Sequence, residues 1–174
     1  FLDAPLSGLH PPQLLPGATD AAERIVRAVA AGRRVCVYGD YDVDGTTSVA
    51  LVYSFLQPYF QDRIGYYIPD RYAEGYGISF TGIDWAKEGG YSLIISLDCG
   101  VKSLDKIAYA NEKGVDFIIC DHHLPDLELP QAVAVLDAKR SDCPYPYKEL
   151  AGCGVGFKFM QAFCQRQGFP QEPL

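Results

Sequence analysis

The chain has 174 residues, 48% of them hydrophobic and 21% charged, the balance of an ordinary globular domain large enough to bury a core. No stretch approaches the roughly 18 consecutive apolar residues of a membrane span, and the start lacks the basic region and apolar run of a signal peptide, which points to the cytoplasm and away from a membrane partner. The formal net charge of −7 speaks against a general basic footprint for nucleic acid.

The chain opens at Phe1 rather than Met and stops without a clear terminating element, so a piece of a longer protein is expected. Residues 1–17, with Pro5, Pro11, Pro12 and Pro16, read as an irregular arm. A helix capped by Thr19 or Asp20 follows, with Ala22, Ile25, Val26 and Val29 at helical spacing and Gly32 as its stop. Strand 34–39 leads into an acidic loop and a helix over 47–59. Strand 64–69, helix 79–88, strand 93–97 and helix 104–112 come next, then strands 116–120 and 132–136 and a closing helix over 149–165. Five short apolar runs separated by amphipathic stretches predict an α/β fold in one domain. Its core is a doubly wound, mainly parallel five-stranded sheet with helices on both faces. The six cysteines, Cys36, Cys99, Cys120, Cys143, Cys153 and Cys164, form no C-x-x-C pair and are expected as buried thiols of a reducing compartment.

In an open parallel sheet, ligands gather beyond the carboxyl ends of the strands. Three predicted strands end in acids there. Asp40-Tyr41-Asp42-Val43-Asp44-Gly45 follows 34–39, Asp98 follows 93–97, and Asp121-His122-His123 follows 116–120. Singly, each has an ordinary reading as a turn-capping Asp or a surface His pair; together they predict one shared metal site. Carboxylates with one or two imidazoles suit Mn²⁺ or Mg²⁺, and no thiolates stand at the spacing of a structural zinc site. Two bound divalent cations would cancel more than half of the −7, so net charge does not decide the substrate.

Two rival readings of the first acidic run fail on context. An EF-hand loop needs a bidentate acid at its twelfth position, which here is Leu51, and a helix rather than a strand before it. A haloacid-dehalogenase-like phosphatase shares the form Asp42-Val43-Asp44-Gly45-Thr46 but leaves Asp121-His122-His123 without a role. Taken in order and spacing, the three acidic motifs resemble the first three motifs of the DHH phosphoesterase superfamily. Residues 67–77 (Tyr67 to Gly77) and 151–158 (Ala151 to Lys158) look like segments of its RecJ-like single-stranded-DNA exonucleases.

That resemblance covers nearly the whole chain and implies a DHH-type catalytic domain with a two-metal Mn²⁺ or Mg²⁺ site. Such a site hydrolyses phosphodiester bonds with ions roughly 3.5–4 Å apart. The substrate implied is single-stranded DNA, degraded from its 5′ end in repair or recombination. Asp42, Asp44 and Asp98 are then carboxylate ligands, with Asp98 bridging, and His122 is the imidazole ligand. Asp40 is a ligand or an outer acid, Asp121 ligates or orients a histidine, and His123 meets metal, phosphate or leaving group. Arg71 is a candidate fork for a substrate phosphate, against a salt bridge to Asp70 or Glu74. Gly154 and Lys158, at a Gly-rich helix start whose free N–H groups favour anions, are further substrate candidates.

A fourth motif with another metal-binding Asp is implied, and nothing after Lys158 matches it; DHHA1-type and oligonucleotide-binding domains are expected elsewhere in the parent. Two other functions remain open at this point. The same site could serve short oligonucleotides, cyclic dinucleotides or pyrophosphate, although relatives of that kind carry His in place of the third Asp of the first motif. A catalytically incomplete binding module is the non-enzymatic alternative.

Overall fold

The structure is a computed structural model that describes residues 8–169. Residues 1–7 of the expected arm lie outside it. The remainder of that arm is not irregular throughout: Pro12–Leu14 form a turn of 3-10 helix, and Pro12 and Leu15 are buried.

Five strands form one sheet in the order β2-β1-β3-β4-β5, every neighbouring pair parallel. They are β1 (Arg34–Gly39), β2 (Ile64–Tyr67), β3 (Tyr91–Leu97), β4 (Asp116–Cys120) and β5 (Ala134–Leu136). Because side chains alternate across a strand, the apolar runs feed two cores. Val35 and Val37, Leu93, Ile95 and Leu97, and Ile118 face one of them, which also takes the buried stripes of α1 (Ala18–Ala30), α2 (Val43–Phe60) and α5 (Gly152–Gln167). Cys36 and Tyr38, Ile94, and Phe117 and Ile119 face the other, under α3 (Phe80–Glu88) and α4 (Leu104–Glu112). Sheet covered on both faces is the expected architecture, and the sheet is wholly parallel. No helix is long and apolar enough to cross a membrane among the described residues. All six cysteines are free, five buried and Cys153 partly so.

Several element ends differ from expectation for local reasons. Gly17 (φ 82°) caps α1, so Thr19 and Asp20 lie in its first turn, where the Asp20 charge complements the helix dipole. α2 starts at Val43 rather than at 47, because Asp42 Oδ1 accepts a bond from Gly45 N (2.9 Å) and caps it. The acidic run thus leads into a helix, with Asp42 as its cap and Asp44 in its first turn. α5 starts at Gly152 rather than at 149. Between β4 and β5 the chain crosses over without a helix.

This strand order reverses direction of winding between β1 and β3, the place where doubly wound sheets open a crevice at their carboxyl edge. Along that edge β1, β3, β4 and β5 are each followed at once by a buried aspartate: Asp40, Asp98, Asp121 and Asp137. Burying four carboxyl groups in a row is costly unless each is bonded, protonated or bound to a cation.

Candidate metal centre

Close approach of two helices to the strand ends builds the centre. A Cβ on Gly45 would stand 2.4 Å from Asp40 O, so only glycine lets the first turn of α2 lie against the end of β1. A Cβ on Gly152 would stand 2.8 Å from both Cβ and Oδ1 of Asp98, so the start of α5 likewise rests on Asp98. Asp44 ties the helices together, its Oδ2 accepting from Gly152 N (2.7 Å) and its Oδ1 from Cys153 N (2.8 Å). Burial raises its pKa, but the bonds from Cys153 and Gly152 outweigh this and hold it below the usual carboxylate value.

Asp98 is 2% exposed and adopts φ 62°, a left-handed conformation uncommon for a residue with a side chain. Its Oδ1 is buried with no hydrogen-bond partner, yet lies 3.0 Å from His122 Nε2 without hydrogen-bond alignment. The same His122 nitrogen is 3.7 Å from Asp44 Oδ2. Burial, then the charges of Asp44 and Asp42, push the Asp98 carboxyl up to about 7. Asp40 is also raised, chiefly by burial; its Oδ1 accepts from Gly77 N (3.4 Å) and its Oδ2 has no partner.

Asp121 has the opposite character. Its Oδ2 accepts from Val101 N (2.9 Å), and its Oδ1 accepts from His122 N (2.7 Å), His123 N (3.2 Å) and His123 Nδ1 (2.7 Å). Burial raises its pKa, but the bonds from His123 and Val101 bring it below the ordinary value. The bond to Asp121 in turn raises His123. Of the two uses open to Asp121, the geometry favours orientation: with Nδ1–H donating to Asp121, His123 turns Nε2 outward, 3.2 Å from the Tyr76 hydroxyl.

Ligand-capable atoms of Asp98, His122 and His123 all lie within 4.8 Å of one another. The bare carboxylate oxygen of Asp98 beside two imidazoles forms a donor set that fits Mn²⁺ or Mg²⁺, and Asp40, whose Oδ2 is also bare, is near enough for the charge of His123 to act on it. Asp44 adjoins it through His122, and Asp42 stands exposed at the cap of α2, its charge reaching Asp98.

The residues proposed for substrate divide. Arg71 makes neither ion pair weighed for it. Asp70 instead bonds Tyr72 N and Ala73 N, and Glu74 bonds Tyr67 and Ser79, which leaves the guanidinium 5.3 Å over the Tyr41 ring. Tyr41 meets Tyr76 edge to face (6.4 Å), so a chain of contacts leads from Arg71 to His123. Lys158 does not belong here. It is 2% exposed, and its Nζ donates to His10 O (2.9 Å) and Gln161 Oε1 (2.7 Å), with burial lowering its pKa. Gly154 faces Leu150 rather than the strand ends, and the anion at the start of α5 is Asp44 itself. Lys158→Met should therefore cost about 1.5–3 kcal/mol in urea unfolding, the range for losing hydrogen bonds from a charged group, with unchanged Mn²⁺ binding by calorimetry.

Three residues of this edge received no role from sequence. Tyr76 sits between Gly75 (φ 83°) and Gly77 (φ 76°), a turn whose purpose shows only in the fold. Gly152 was masked by its glycine-rich neighbours. Asp137 ends an apolar run just as Asp98 does, and that signal could have found it. It is fully buried, with Oδ1 accepting from Lys139 N (2.7 Å), Oδ2 unpartnered, and its carboxyl pushed up by burial to about 6.

Known proteins resemble this chain in sequence and in fold. The chain is 41% identical over 162 residues to the single-stranded-DNA-specific exonuclease RecJ of Bacillus subtilis (strain 168), covering 93% of this chain and 20% of that protein. It is 37% identical over 174 residues to RecJ of Escherichia coli (strain K12), covering 98% of this chain and 30% of that protein. The chain thus spans a fifth to three tenths of these relatives' length. A crystal structure of exonuclease RecJ bound to manganese superposes with a TM-score of 0.80 at 32% identity, over 90% of this chain and 40% of that one. RecJ of Thermus thermophilus in complex with Mn²⁺ gives 0.78 at 30% identity, over 98% and 23%. Residues 34–174 match the model of the DHH family, N-terminal domain, and the chain belongs to that family.

Proposed function

We propose that the chain is the DHH-type catalytic part of a metal-dependent, RecJ-like exonuclease that hydrolyses single-stranded DNA from the 5′ end during repair and recombination. The observation that carries this reading is the buried, unpartnered Oδ1 of Asp98, 3.0 Å from His122 and grouped with His123. Asp98, His122 and His123, with Asp40, Asp42 and Asp44 around them, would hold Mn²⁺ or Mg²⁺. When bound, such ions lower the pKa of a coordinated water and stabilise charge on a phosphoryl group. Asp121 fixes the ring of His123, so Nε2, which lies beside the Tyr76 hydroxyl, is the nitrogen left to meet a metal or a phosphate. Arg71, which pairs with no acid among the described residues and lies over Tyr41, would fork onto a phosphate. Free thiols support a cytoplasmic location.

In this reading the chain is one domain of a longer parent, which supplies a fourth-motif Asp, a DHHA1-type domain and an oligonucleotide-binding fold. The isolated chain is therefore expected to turn over little DNA. With the full parent and Mn²⁺, 5′-phosphorylated single strands should shorten from the 5′ end while duplex is largely spared. Arg71→Ala should slow this by roughly 10–100-fold, as expected for a lost charge-assisted bond, with Mn²⁺ affinity unchanged. Release from the 3′ end, or faster turnover of cyclic dinucleotides or pyrophosphate, would overturn the substrate assignment.

A further inference from the structure

At the edge of the sheet where the strands begin, away from the metal centre, three arginines line one cavity of about 450 Å³. Arg24 and Arg27 come from α1, Arg33 from the turn between α1 and β1, and Asp116 from the start of β4, with Ala31 and Val133 between them. Asp116 opens the strand that Cys120 closes just before Asp121. At about 3.3 Å per residue, roughly 16 Å of strand separates the cavity from the row of buried aspartates.

The way α1 ends brings the arginines together. Gly32 (φ 62°) follows the Ala31 cap, its N–H donating to Val29 O (3.1 Å) while Arg33 N donates to Ala28 O (2.9 Å). This closure folds the residue after the glycine back against the last full turn of the helix, where an apolar contact is the usual result. Here the residue folded back is Arg33, and the turn it meets carries Arg27. Arg24, three residues before Arg27, shares its helix face, and like charges at that spacing oppose the helix. The closure also removes the ordinary use of a basic side chain at a helix end, which is to bond the last carbonyls. Those of Arg27, Ala28 and Val29 already accept from the N–H groups of Ala31, Arg33 and Gly32.

Only Arg24 has a protein partner. Its Nε (3.1 Å) and Nη2 (2.8 Å) both donate to Asp116 Oδ2. The side chains of Arg27 and Arg33 are exposed and make no hydrogen bond or ion pair among the described residues. Three guanidinium groups against one carboxylate leave the cavity doubly positive, in a chain of net charge −7. Close by, Arg63 Nη1 is buried without a partner and would stand 3.7 Å from a Cβ on Gly32, adding to the positive potential. A phosphate monoester carries about −1.5 to −2 at neutral pH with three acceptor oxygens, which matches that charge and suits planar forks. A carboxylate, with one charge, would leave the cavity positive.

We propose that this cavity binds a dianionic phosphate group, held by Arg27 and Arg33 beside the Arg24–Asp116 pair. The group is free inorganic phosphate or the terminal monoester of a nucleotide. Binding there needs neither metal nor turnover, so it stands or falls apart from the phosphodiesterase reading.

The test is calorimetric titration of the 174-residue chain in EDTA with inorganic phosphate, thymidine 5′-monophosphate and thymidine. Inorganic phosphate should bind with saturation and thymidine should not. Arg27→Gln/Arg33→Gln should weaken phosphate binding by roughly tenfold or more, as expected for lost charge-assisted bonds. Phosphate should raise the melting temperature of wild type and not of the double variant, and without phosphate the two should melt alike. Equal affinity for the two phosphates identifies the free anion as the ligand; tighter binding of thymidine monophosphate, lost in the double variant, identifies the monoester. Wild type that shows no saturable phosphate binding, or a double variant that binds phosphate as wild type does, overturns the proposal.

Discussion

Replacing Asp98 with asparagine is expected to lower Mn²⁺ affinity on the order of 100-fold, about 2.8 kcal/mol, while making the metal-free protein more stable. Both effects have one source. The Asp98 carboxyl is buried, its Oδ1 has no hydrogen-bond partner, and the charges of Asp44 and Asp42 act on it. Without a cation that arrangement opposes folding; with one, it supplies a ligand. Asparagine keeps the shape and tolerates the left-handed φ of 62°, where alanine would add backbone strain. The charge alone is removed, and a gain of roughly 1–3 kcal/mol follows from relieving a desolvated, unpaired group. Calorimetric titration with Mn²⁺ and urea unfolding in EDTA would measure the two effects. An asparagine variant that binds Mn²⁺ as tightly as wild type would remove Asp98 from the centre.

Most of the sheet was legible in sequence because its signals are local. Short apolar runs ending in Asp40, Asp98 and Asp121 give strands, and strands separated by amphipathic stretches give a parallel sheet whose carboxyl ends converge. Failures occur where the deciding partner is distant. The start of α5 is capped by Asp44, more than a hundred residues earlier, so no local pattern could show that its N–H groups are already occupied. Lys158 looks like a solvated lysine at a glycine-rich start, and only the fold brings His10 to its ammonium. The start of α2 is a different kind of error. Asp42 was visible as a helix cap three residues before Gly45, but alternating acids suggested a loop.

The role of Asp121 shows the same limit inside the site. Sequence puts Asp121, His122 and His123 together but cannot say which of them ligates, because that depends on where each lone pair points. In the fold, both Asp121 oxygens are taken up by four donors, whereas Asp98 Oδ1 has none. In the proposed centre, hydrogen-bond saturation is what assigns Asp121 to orientation and Asp98 to the metal, and that is a property of the packed strand ends rather than of the motif.

The metal-free protein should lose stability as pH rises from about 5 to 8, the reverse of ordinary acid denaturation. Asp98 and Asp137 have folded pKa values raised to about 7 and about 6 from 3.8. Between those limits the folded chain binds more protons than the unfolded one, so unfolding becomes easier as pH increases. Asp40, also raised, acts in the same sense. So does His123, whose contribution is complete below its unfolded pKa and is lost as pH rises through its elevated folded value. Asp44 and Asp121 act oppositely, since their lowered values contribute stability that is lost only as pH falls below the ordinary carboxylate range. At about 1.4 kcal/mol per unit, the raised pair alone amounts to on the order of 5 kcal/mol, or about 10 °C in melting temperature for a domain of this size. Mn²⁺ binds the deprotonated groups, so it should reverse the trend, raising the melting temperature strongly at pH 8 and little at pH 5. Thermal unfolding at both pH values, in EDTA and in Mn²⁺, is the measurement. A metal-free melting temperature that climbs between pH 5 and pH 8 would mean that the row of strand-end aspartates is paired in some other way, and the case for a cation there would lose its energetic basis.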